Sequence, residues 1–175
     1  MRSVLITGTS TGIGQATAVT LAARGWRVFA TMRNLEKRGR LEQALKEAGV
    51  QHGVALEQLD VTDTTSIRSA VASTLSQTGN KLDAVVHNAG VAAAGALEDV
   101  PDSELRRVME SNFFGVLGLT RRTAGLPRAR AGARRHHLER CRLHRPAHEF
   151  DLLRFEMGGR RMGRGGRLRA RAVRD

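Results

Sequence analysis

Residues 4–14, Val-Leu-Ile-Thr-Gly-Thr-Ser-Thr-Gly-Ile-Gly, decide the fold that the rest of the chain must follow. A short apolar run leads into a glycine-rich turn, and a helical pattern of apolar residues begins at Ala16. A strand, a glycine-rich turn and a helix in this order present backbone N–H groups to a pyrophosphate. The stretch therefore predicts a dinucleotide site, with an ordinary glycine-rich βα turn as the alternative.

The chain up to residue 120 alternates between strand and helix patterns. Predicted strands cover Ser3–Ile6, Arg27–Thr31, Val54–Leu59 and Leu82–His87, and predicted helices cover Gly14–Arg24, Gly39–Ala48, Thr64–Leu75 and Asp102–Leu119. Strands alternating with helices of about a dozen residues indicate βαβ units and a parallel sheet. The predicted fold class is α/β, a doubly wound, Rossmann-like parallel sheet that is incomplete because residues 1–120 supply only its first four strands.

The charge of the chain changes abruptly near residue 121. The 175-residue sequence has a formal net charge of +12, yet residues 1–120 hold 12 basic and 12 acidic residues. Residues 121–175 hold 17 arginines and 5 acidic residues, without a helix or strand period. Such a stretch buries too little apolar surface to offset the entropy of ordering it. We expect a dinucleotide-binding part at 1–120 and a largely disordered Arg-rich tail at 121–175.

The residue types in the glycine turn suit contact with phosphate. Gly8 is predicted to allow the tight turn, Gly12 to let the backbone approach phosphate, and Gly14 to let helix and strand pack closely. Ser10 and Thr11 offer hydroxyl groups to phosphate or ribose. The predicted cofactor-binding residues of the turn are Thr7, Gly8, Ser10, Thr11, Gly12, Ile13 and Gly14.

Arg33 follows the second predicted strand, where a dinucleotide fold contacts the adenosine ribose. An Asp or Glu there would accept the 2′-hydroxyl of NAD, whereas an arginine suits the 2′-phosphate of NADP. The stretch Thr31–Asn34 contains an arginine and no acid, so the sequence favours NADP over NAD, with Arg33 on the phosphate. A solvated loop arginine is the alternative.

Three further motifs carry polar or small residues at informative places. Asp60-Val61 follows the third strand, where a carboxylate can meet the adenine amino group or can simply serve a turn or a helix start. Asn88-Ala89-Gly90 follows the fourth strand, where the nicotinamide ribose would lie, although Asn and Gly also favour ordinary turns. Asn112 is a poor residue for a helix interior, so it either bonds within the protein or orders a water.

Together these motifs resemble, in order and spacing, the first half of the short-chain dehydrogenase/reductase family. Val28–Leu45 looks most similar to its 17β-hydroxysteroid and retinol dehydrogenase branch, and His87 replaces an asparagine often found before Asn-Ala-Gly. The resemblance implies hydride transfer between NADP(H) and a small-molecule alcohol/carbonyl pair. It also implies that Asn112 is catalytic by holding a water in a proton relay. Homo-oligomers are an open option for an intact family member.

The family's chemistry also uses a Ser, a Tyr and a Lys that follow the helix with the Asn. This chain has no tyrosine and no lysine after Lys81, so we expect it to be inactive as written. A slip of the reading frame near Thr120–Arg122 would explain this. Read one base later, the codons of His136–Glu139 can give Ile-Ile-Ser-Ser, and those of Leu152–Met157 can give Tyr-Cys-Ala-Ser-Lys-Trp.

Two other functions are weighed against an oxidoreductase. One is an inactive nucleotide-binding fragment. The other is an Arg-tailed nucleic-acid binder, for which Phe150 and Phe155 are the only aromatic stacking residues of the tail.

No metal site is predicted, because the candidate ligands of the tail fit no ordinary zinc spacing: His136, His137, Cys141, His144 and His148. A single cysteine and the absence of a signal peptide or membrane span predict a cytoplasmic protein.

Overall fold

The computed structural model describes residues 1–126, in which four parallel strands form one sheet. The strands are β1 (Ser3–Ile6), β2 (Arg27–Met32), β3 (Val54–Gln58) and β4 (Ala84–Val86). Their order across the sheet is β3-β2-β1-β4. All three strand pairs are parallel, so the carboxyl ends of the four strands lie at the same edge of the sheet.

Apolar side chains are buried on both faces of the sheet. Val4 and Ile6 of β1 belong to one hydrophobic cluster, whereas Leu5 between them belongs to another. In β2, Phe29 joins Leu5 in the second cluster. Because successive side chains of a strand point to opposite faces, the two clusters are the two faces of the sheet. A sheet buried on both faces needs a helical layer on each side.

Helices α1 (Gly12–Ala23) and α2 (Gly39–Glu47) supply the layer over the first cluster. Ala18 of α1 is fully buried, and its small side chain lets the helix approach the sheet closely. Leu41 and Leu45 of α2 are buried one helical turn apart, the spacing that places two side chains on one helix face.

Helix α3 (Thr64–Thr78) and a helical segment that runs to Thr123 supply the layer over the second cluster. The segment consists of α4 (Asp102–Met109), a π-helical turn (Glu110–Phe114) and α5 (Gly115–Thr123). A π-helical turn is rare and occurs mostly as a single turn within an α-helix, frequently at a functional site. Among the described residues, no helix is both long and apolar enough to cross a membrane.

The predicted fold class, a doubly wound parallel sheet, is confirmed, but several predicted boundaries are wrong. Helix α1 begins at Gly12, two residues before its predicted start, and the residue before it, Thr11, is extended. The single helix predicted at Asp102–Leu119 contains the π-helical turn and continues to Thr123. Strand β4 is three residues long and shorter than predicted. The predictions for 127–175 lie outside the described residues.

Candidate functional site

The glycine turn leaves β1 at Thr7, and this residue attaches the turn to β4. Its backbone N–H donates to the carbonyl oxygen of Val86 at 3.0 Å. Its buried hydroxyl donates to the same oxygen at 3.4 Å and accepts from the backbone N–H groups of Asn88 and Ala89, each at 3.0 Å. The hydroxyl of Thr7 is therefore occupied within the protein, and it joins the ends of two neighbouring strands.

The side chain of Asn88 strengthens this attachment. Its Nδ2 donates to the carbonyl oxygen of Thr7 at 3.0 Å and to that of Gly8 at 2.8 Å. The sequence places Thr7 and Asn88 among the cofactor contacts. In the structure, both side chains hold the backbone of the glycine turn and so position the residues that can face a ligand. Their contact with a cofactor stays a prediction.

Thr9 attaches the turn to β2, on the other side of β1. Its backbone N–H and its hydroxyl both donate to the carbonyl oxygen of Thr31, at 3.0 and 3.1 Å. The hydroxyl of Thr31 in turn donates to the carbonyl oxygen of Ile6 at 3.0 Å. Both threonines are fully buried. Sequence reasoning missed this pair, because nothing in a threonine-rich stretch indicates which hydroxyl contacts a strand 22 residues away.

Two glycines of the turn occupy places that no side chain could share. Gly8 has a φ of +70°, and a Cβ there would lie 2.8 Å from Cα of Ala89. A Cβ at Gly14 would overlap with Nδ2 of Asn88 and the carbonyl oxygen of Gly8. Gly12 also has a positive φ, of +61°, but a Cβ there would meet nothing within 4 Å. Gly8 and Gly14 thus face the protein, and Gly12 faces open space.

The outer surface of the turn presents the beginning of α1. Thr11 is the N-cap residue, its side chain makes no capping hydrogen bond, and the first turn of the helix contains no acidic residue. Ile13 is 64% exposed although it is a large apolar residue. The N–H groups at a helix N-terminus lack partners within the helix and carry partial positive charge. This surface can therefore bind an anion, with apolar contact beside it.

The segment after β4 contacts the π-helical turn through Asn112. The backbone N–H of Val91 donates to Oδ1 of Asn112 at 2.9 Å, and Nδ2 of Asn112 donates to the carbonyl oxygen of Val91 at 2.8 Å. A Cβ at Gly90 would lie 3.2 Å from the same Oδ1. The side chain of Asn112 thus bonds within the protein, and its role in holding a water stays a prediction. The side chain remains exposed at the same time.

Asp60 lies in the turn between β3 and α3. Its Oδ1 accepts hydrogen bonds from the backbone N–H and the hydroxyl of Thr62, at 2.9 and 2.7 Å. Asp63, not Asp60, caps α3 by accepting from the N–H of Thr65 at 2.8 Å. The carboxylate of Asp60 is half-buried, and no hydrogen bond joins its Oδ2 to another described residue. Asp60 thus shapes the turn and keeps one oxygen available.

Arg33 is exposed and follows directly after β2. The nearest acid in the sequence, Glu36, accepts a hydrogen bond from Nδ2 of Asn34 at 3.1 Å. Arg38, also in this region, pairs with Glu42 at 3.1 Å. Within residues 1–126 no ion pair involves Arg33, so its guanidinium group can bind an anionic ligand without breaking one.

His87 lies between β4 and the Asn88–Gly90 segment and contacts α5. Its Nε2 is 3.1 Å from the hydroxyl oxygen of Thr120. Burial lowers the pKa of His87 below its ordinary value of 6.5, because the charged imidazolium loses hydration there. The residue therefore favours the neutral form, which can accept or donate one hydrogen bond with each ring nitrogen according to its tautomer.

A metal centre is not formed by the part of the chain that the structure covers. No group of three or more His, Cys, Asp or Glu side chains among residues 1–126 is arranged to hold an ion. The tail residues considered from the sequence, His136, His137, Cys141, His144 and His148, lie outside the described part.

Fold and site together define a doubly wound α/β protein with a glycine turn at the carboxyl ends of its strands. The sequence profile of the short chain dehydrogenase family matches residues 2–133. The chain belongs to this family of oxidoreductases. It is 38% identical over 135 residues to retinol dehydrogenase 8 of Homo sapiens, covering 75% of this chain and 42% of that protein. It is 37% identical over 119 residues to human 17-beta-hydroxysteroid dehydrogenase type 1, covering 65% and 35%.

Solved structures show the same relationship. A structure of actinorhodin polyketide ketoreductase with NADPH matches with a TM-score of 0.63 and 32% identity, covering 69% of this chain and 45% of that one. A 3-ketoacyl-(acyl-carrier-protein) reductase from Brucella melitensis, complexed with NADH, matches with a TM-score of 0.62 and 29% identity, covering 69% and 48%. The chain thus spans less than half the length of each of these proteins.

Proposed function

We propose that the chain is the cofactor-binding half of an NADP(H)-dependent oxidoreductase that interconverts a small-molecule alcohol with a ketone or aldehyde. The observation that carries the proposal is the meeting of four motifs at one edge of the sheet. In the order β3-β2-β1-β4, the strands lead into Asp60, Arg33, the glycine turn and Asn88–Gly90. Ligands of open α/β sheets bind in the crevice outside the carboxyl ends of the strands.

The glycine turn fits the pyrophosphate of a dinucleotide. Gly12 leaves open space where a side chain would project, so a phosphate can approach the backbone there. The hydroxyls of Ser10 and Thr11 and the N-terminal N–H groups of α1 would hold it. Ile13, 64% exposed, would cover an apolar part of the cofactor.

Arg33 supports NADP as the preferred cofactor. It has no ion-pair partner among the described residues, and it lies at the end of the strand next to β1. An arginine fork matches the geometry of a phosphate and forms short, charge-assisted hydrogen bonds. The 2′-phosphate distinguishes NADP from NAD, so the selectivity would depend on this contact.

The remaining residues would orient the cofactor and the proton path. Oδ2 of Asp60 would accept from the adenine amino group, Val61 would lie beside the adenine, and Ala89 and Gly90 would lie beside the nicotinamide ribose. Asn112, the predicted catalytic residue, has one Nδ2 hydrogen left after its bond to Val91, and this hydrogen would hold a water. The bound cofactor would supply or accept the hydride.

The chain as written lacks the acid/base that this chemistry requires. It contains no tyrosine, and a positioned acid or base contributes roughly 10²–10⁴-fold to such a proton transfer. We therefore expect cofactor binding without turnover, the behaviour of an inactive nucleotide-binding fragment. The frame slip near Thr120–Arg122 remains our explanation, and sequencing the gene tests it. An early stop codon in the shifted frame would contradict it.

A fluorescence titration with NADPH and NADH tests the proposal. The parent protein should bind NADPH more tightly than NADH, and Arg33→Gln should weaken NADPH binding by roughly tenfold or more, with little change for NADH. Arg68→Gln, which removes an exposed arginine of α3, is the matched control and should bind like the parent. Binding of DNA without binding of NADPH would favour the nucleic-acid alternative, and measurable ketone reduction would contradict the predicted inactivity.

A further inference from the structure

Thr9 and Thr31 form a buried polar connection that the proposed function does not use. Both residues are 0% exposed. The carbonyl oxygen of Thr31 accepts two hydrogen bonds from one residue of the turn, the N–H of Thr9 at 3.0 Å and its hydroxyl at 3.1 Å. The hydroxyl of Thr31 then donates to the carbonyl oxygen of Ile6 at 3.0 Å, where β1 ends.

This connection spans the two motifs that would contact phosphate groups. Thr9 is followed directly by Ser10, Thr11 and Gly12 of the glycine turn, and Thr31 is followed two residues later by Arg33. The opposite side of the turn is attached to β4 through Thr7. Gly8, with its φ of +70°, lies between the two attachments, so each fixes one side of the turn independently.

We infer that Thr9 and Thr31 are positioning residues that hold the glycine turn in its ligand-binding conformation and at a fixed separation from Arg33. The inference rests on the proposed function, in which the turn binds the pyrophosphate and Arg33 binds the 2′-phosphate of NADP(H). Neither threonine touches the cofactor in this arrangement, since both are buried. Their effect on binding therefore passes through the backbone of the turn.

Thr9→Val isolates the hydroxyl contribution. Valine has nearly the shape of threonine and keeps the backbone N–H that donates to Thr31, so only one of the two hydrogen bonds is removed. Thr9→Ser keeps the hydroxyl and should restore the parent behaviour. Thr74→Val is the matched control, because Thr74 is also fully buried, but its Oγ1 has no hydrogen-bond partner among the described residues and lies in α3.

Amide hydrogen exchange tests the positioning without any ligand. In Thr9→Val, the N–H of Thr9 should exchange roughly tenfold faster than in the parent. The N–H of Thr7, held by Val86 of β4 at 3.0 Å, should exchange at the parent rate. Thr9→Ser and Thr74→Val should show the parent pattern at both amides. Unchanged exchange of Thr9 in the valine variant would overturn the inference.

The NADPH titration tests the consequence for binding. The dissociation constant should rise roughly tenfold in Thr9→Val and stay within about twofold of the parent in Thr9→Ser and Thr74→Val. Parent-like NADPH binding by Thr9→Val would overturn the inference while leaving the proposed function intact. Failure of the parent to bind NADPH would refute the proposed function, and the exchange result would still decide the positioning. Should Thr9→Val not fold, Thr31→Val takes its place in the NADPH titration, because it removes the bond from the Thr31 hydroxyl to the carbonyl oxygen of Ile6. Parent-like NADPH binding by Thr31→Val would then overturn the inference.

Discussion

Asn88 donates two hydrogen bonds to Thr7, one from its backbone N–H to Oγ1 and one from Nδ2 to the carbonyl oxygen, each 3.0 Å long. Its Nδ2 also donates to the carbonyl oxygen of Gly8 at 2.8 Å. One side chain thus satisfies two backbone acceptors of the glycine turn. The ends of β1 and β4 are locked together at the point where a cofactor would cross the sheet.

Replacing this donor by an acceptor should therefore destabilise the protein. In Asn88→Asp, a carboxylate oxygen would face the carbonyl oxygens of Thr7 and Gly8, and we expect a loss of roughly 2–4 kcal/mol in the free energy of unfolding. Urea denaturation measures it. Asn80→Asp is the control, at an exposed position with a φ of +60° just beyond α3. Asp tolerates this conformation as Asn does, and its charge near the helix C-terminus should cost no more than about 1 kcal/mol. Similar stabilities for the two variants would contradict the role of Asn88.

Gly14→Ala should be costly although alanine favours helices. The added methyl group would overlap with Nδ2 of Asn88 and the carbonyl oxygen of Gly8, and overpacking of this kind costs about 1–3 kcal/mol. Gly39→Ala is the matched control, because Gly39, like Gly14, lies in the first turn of a helix. It has a φ of −53° and open space around a Cβ. It should raise stability by about 0.5–1 kcal/mol. A thermal shift of the same sign in both variants would refute this explanation.

Gly115 and Gly118 of α5 offer a second matched pair. A Cβ at Gly115 would lie 2.8 Å from the carbonyl oxygen of Val61, whereas one at Gly118 would lie 3.3 Å from Cδ1 of Ile67. The backbone of Val61 cannot move away from a new methyl group as easily as the end of the Ile67 side chain can. Gly115→Ala should therefore lower stability by about 1–3 kcal/mol. Gly118→Ala should stay within about 1 kcal/mol of the parent. Calorimetric melting of the two variants provides the comparison, and equal losses would be inconsistent with it.

His87 should make stability depend on pH. Because its pKa is lowered in the folded protein and lies at its ordinary value of about 6.5 in the unfolded chain, the unfolded chain binds more protons between these values. The free energy of unfolding should therefore fall as pH drops through 6.5 and level off below the folded pKa. His87→Asn should reduce this fall. Urea denaturation at pH 7.5 and 5.5 measures it.

The other five histidines of the sequence are common to the parent and the His87→Asn variant, so their contributions cancel in the comparison. An identical loss of stability between pH 7.5 and 5.5 in both proteins would show that His87 is not the group responsible.

The four strands and the parallel sheet were predictable from local patterns in the sequence, whereas the order of the strands across the sheet was not predicted. The run Val4-Leu5-Ile6 is too apolar for a strand with one face in water, and it indicates a sheet covered on both sides. The glycines after it mark the turn. Parallel strands share their direction, so the motifs that follow them lie at one edge of the sheet. The placement of Arg33, Asp60 and Asn88 at that edge was therefore predictable.

Which residues of the site bond within the protein and which face the surface was not predictable from the sequence. Thr7 and Ser10 are similar residues three positions apart, yet one is buried with three hydrogen-bonding partners and the other is half-buried at the surface of the turn. Which hydroxyl faces the protein depends on the path of the backbone through Gly8. The contact of Thr9 with Thr31 depends on that same path. The π-helical turn was not predicted, because no apolar period in the sequence distinguishes it from a continuous α-helix.

The π-helical turn at Glu110–Phe114 has a consequence for the phase of the helix that contains it. A π-helical turn holds about one residue more than an α-helical turn, so it rotates everything beyond it by roughly 100° relative to an unbroken helix. With it, Asn112 reaches Val91 while Gly115 and Leu119 still face the core. The number of residues in this turn, as much as their identity, therefore sets how Asn112 and the buried face of α5 are oriented relative to each other. A one-residue deletion there would rotate one against the other, so the chain could keep the Asn112 contact or the buried face of α5, but not both.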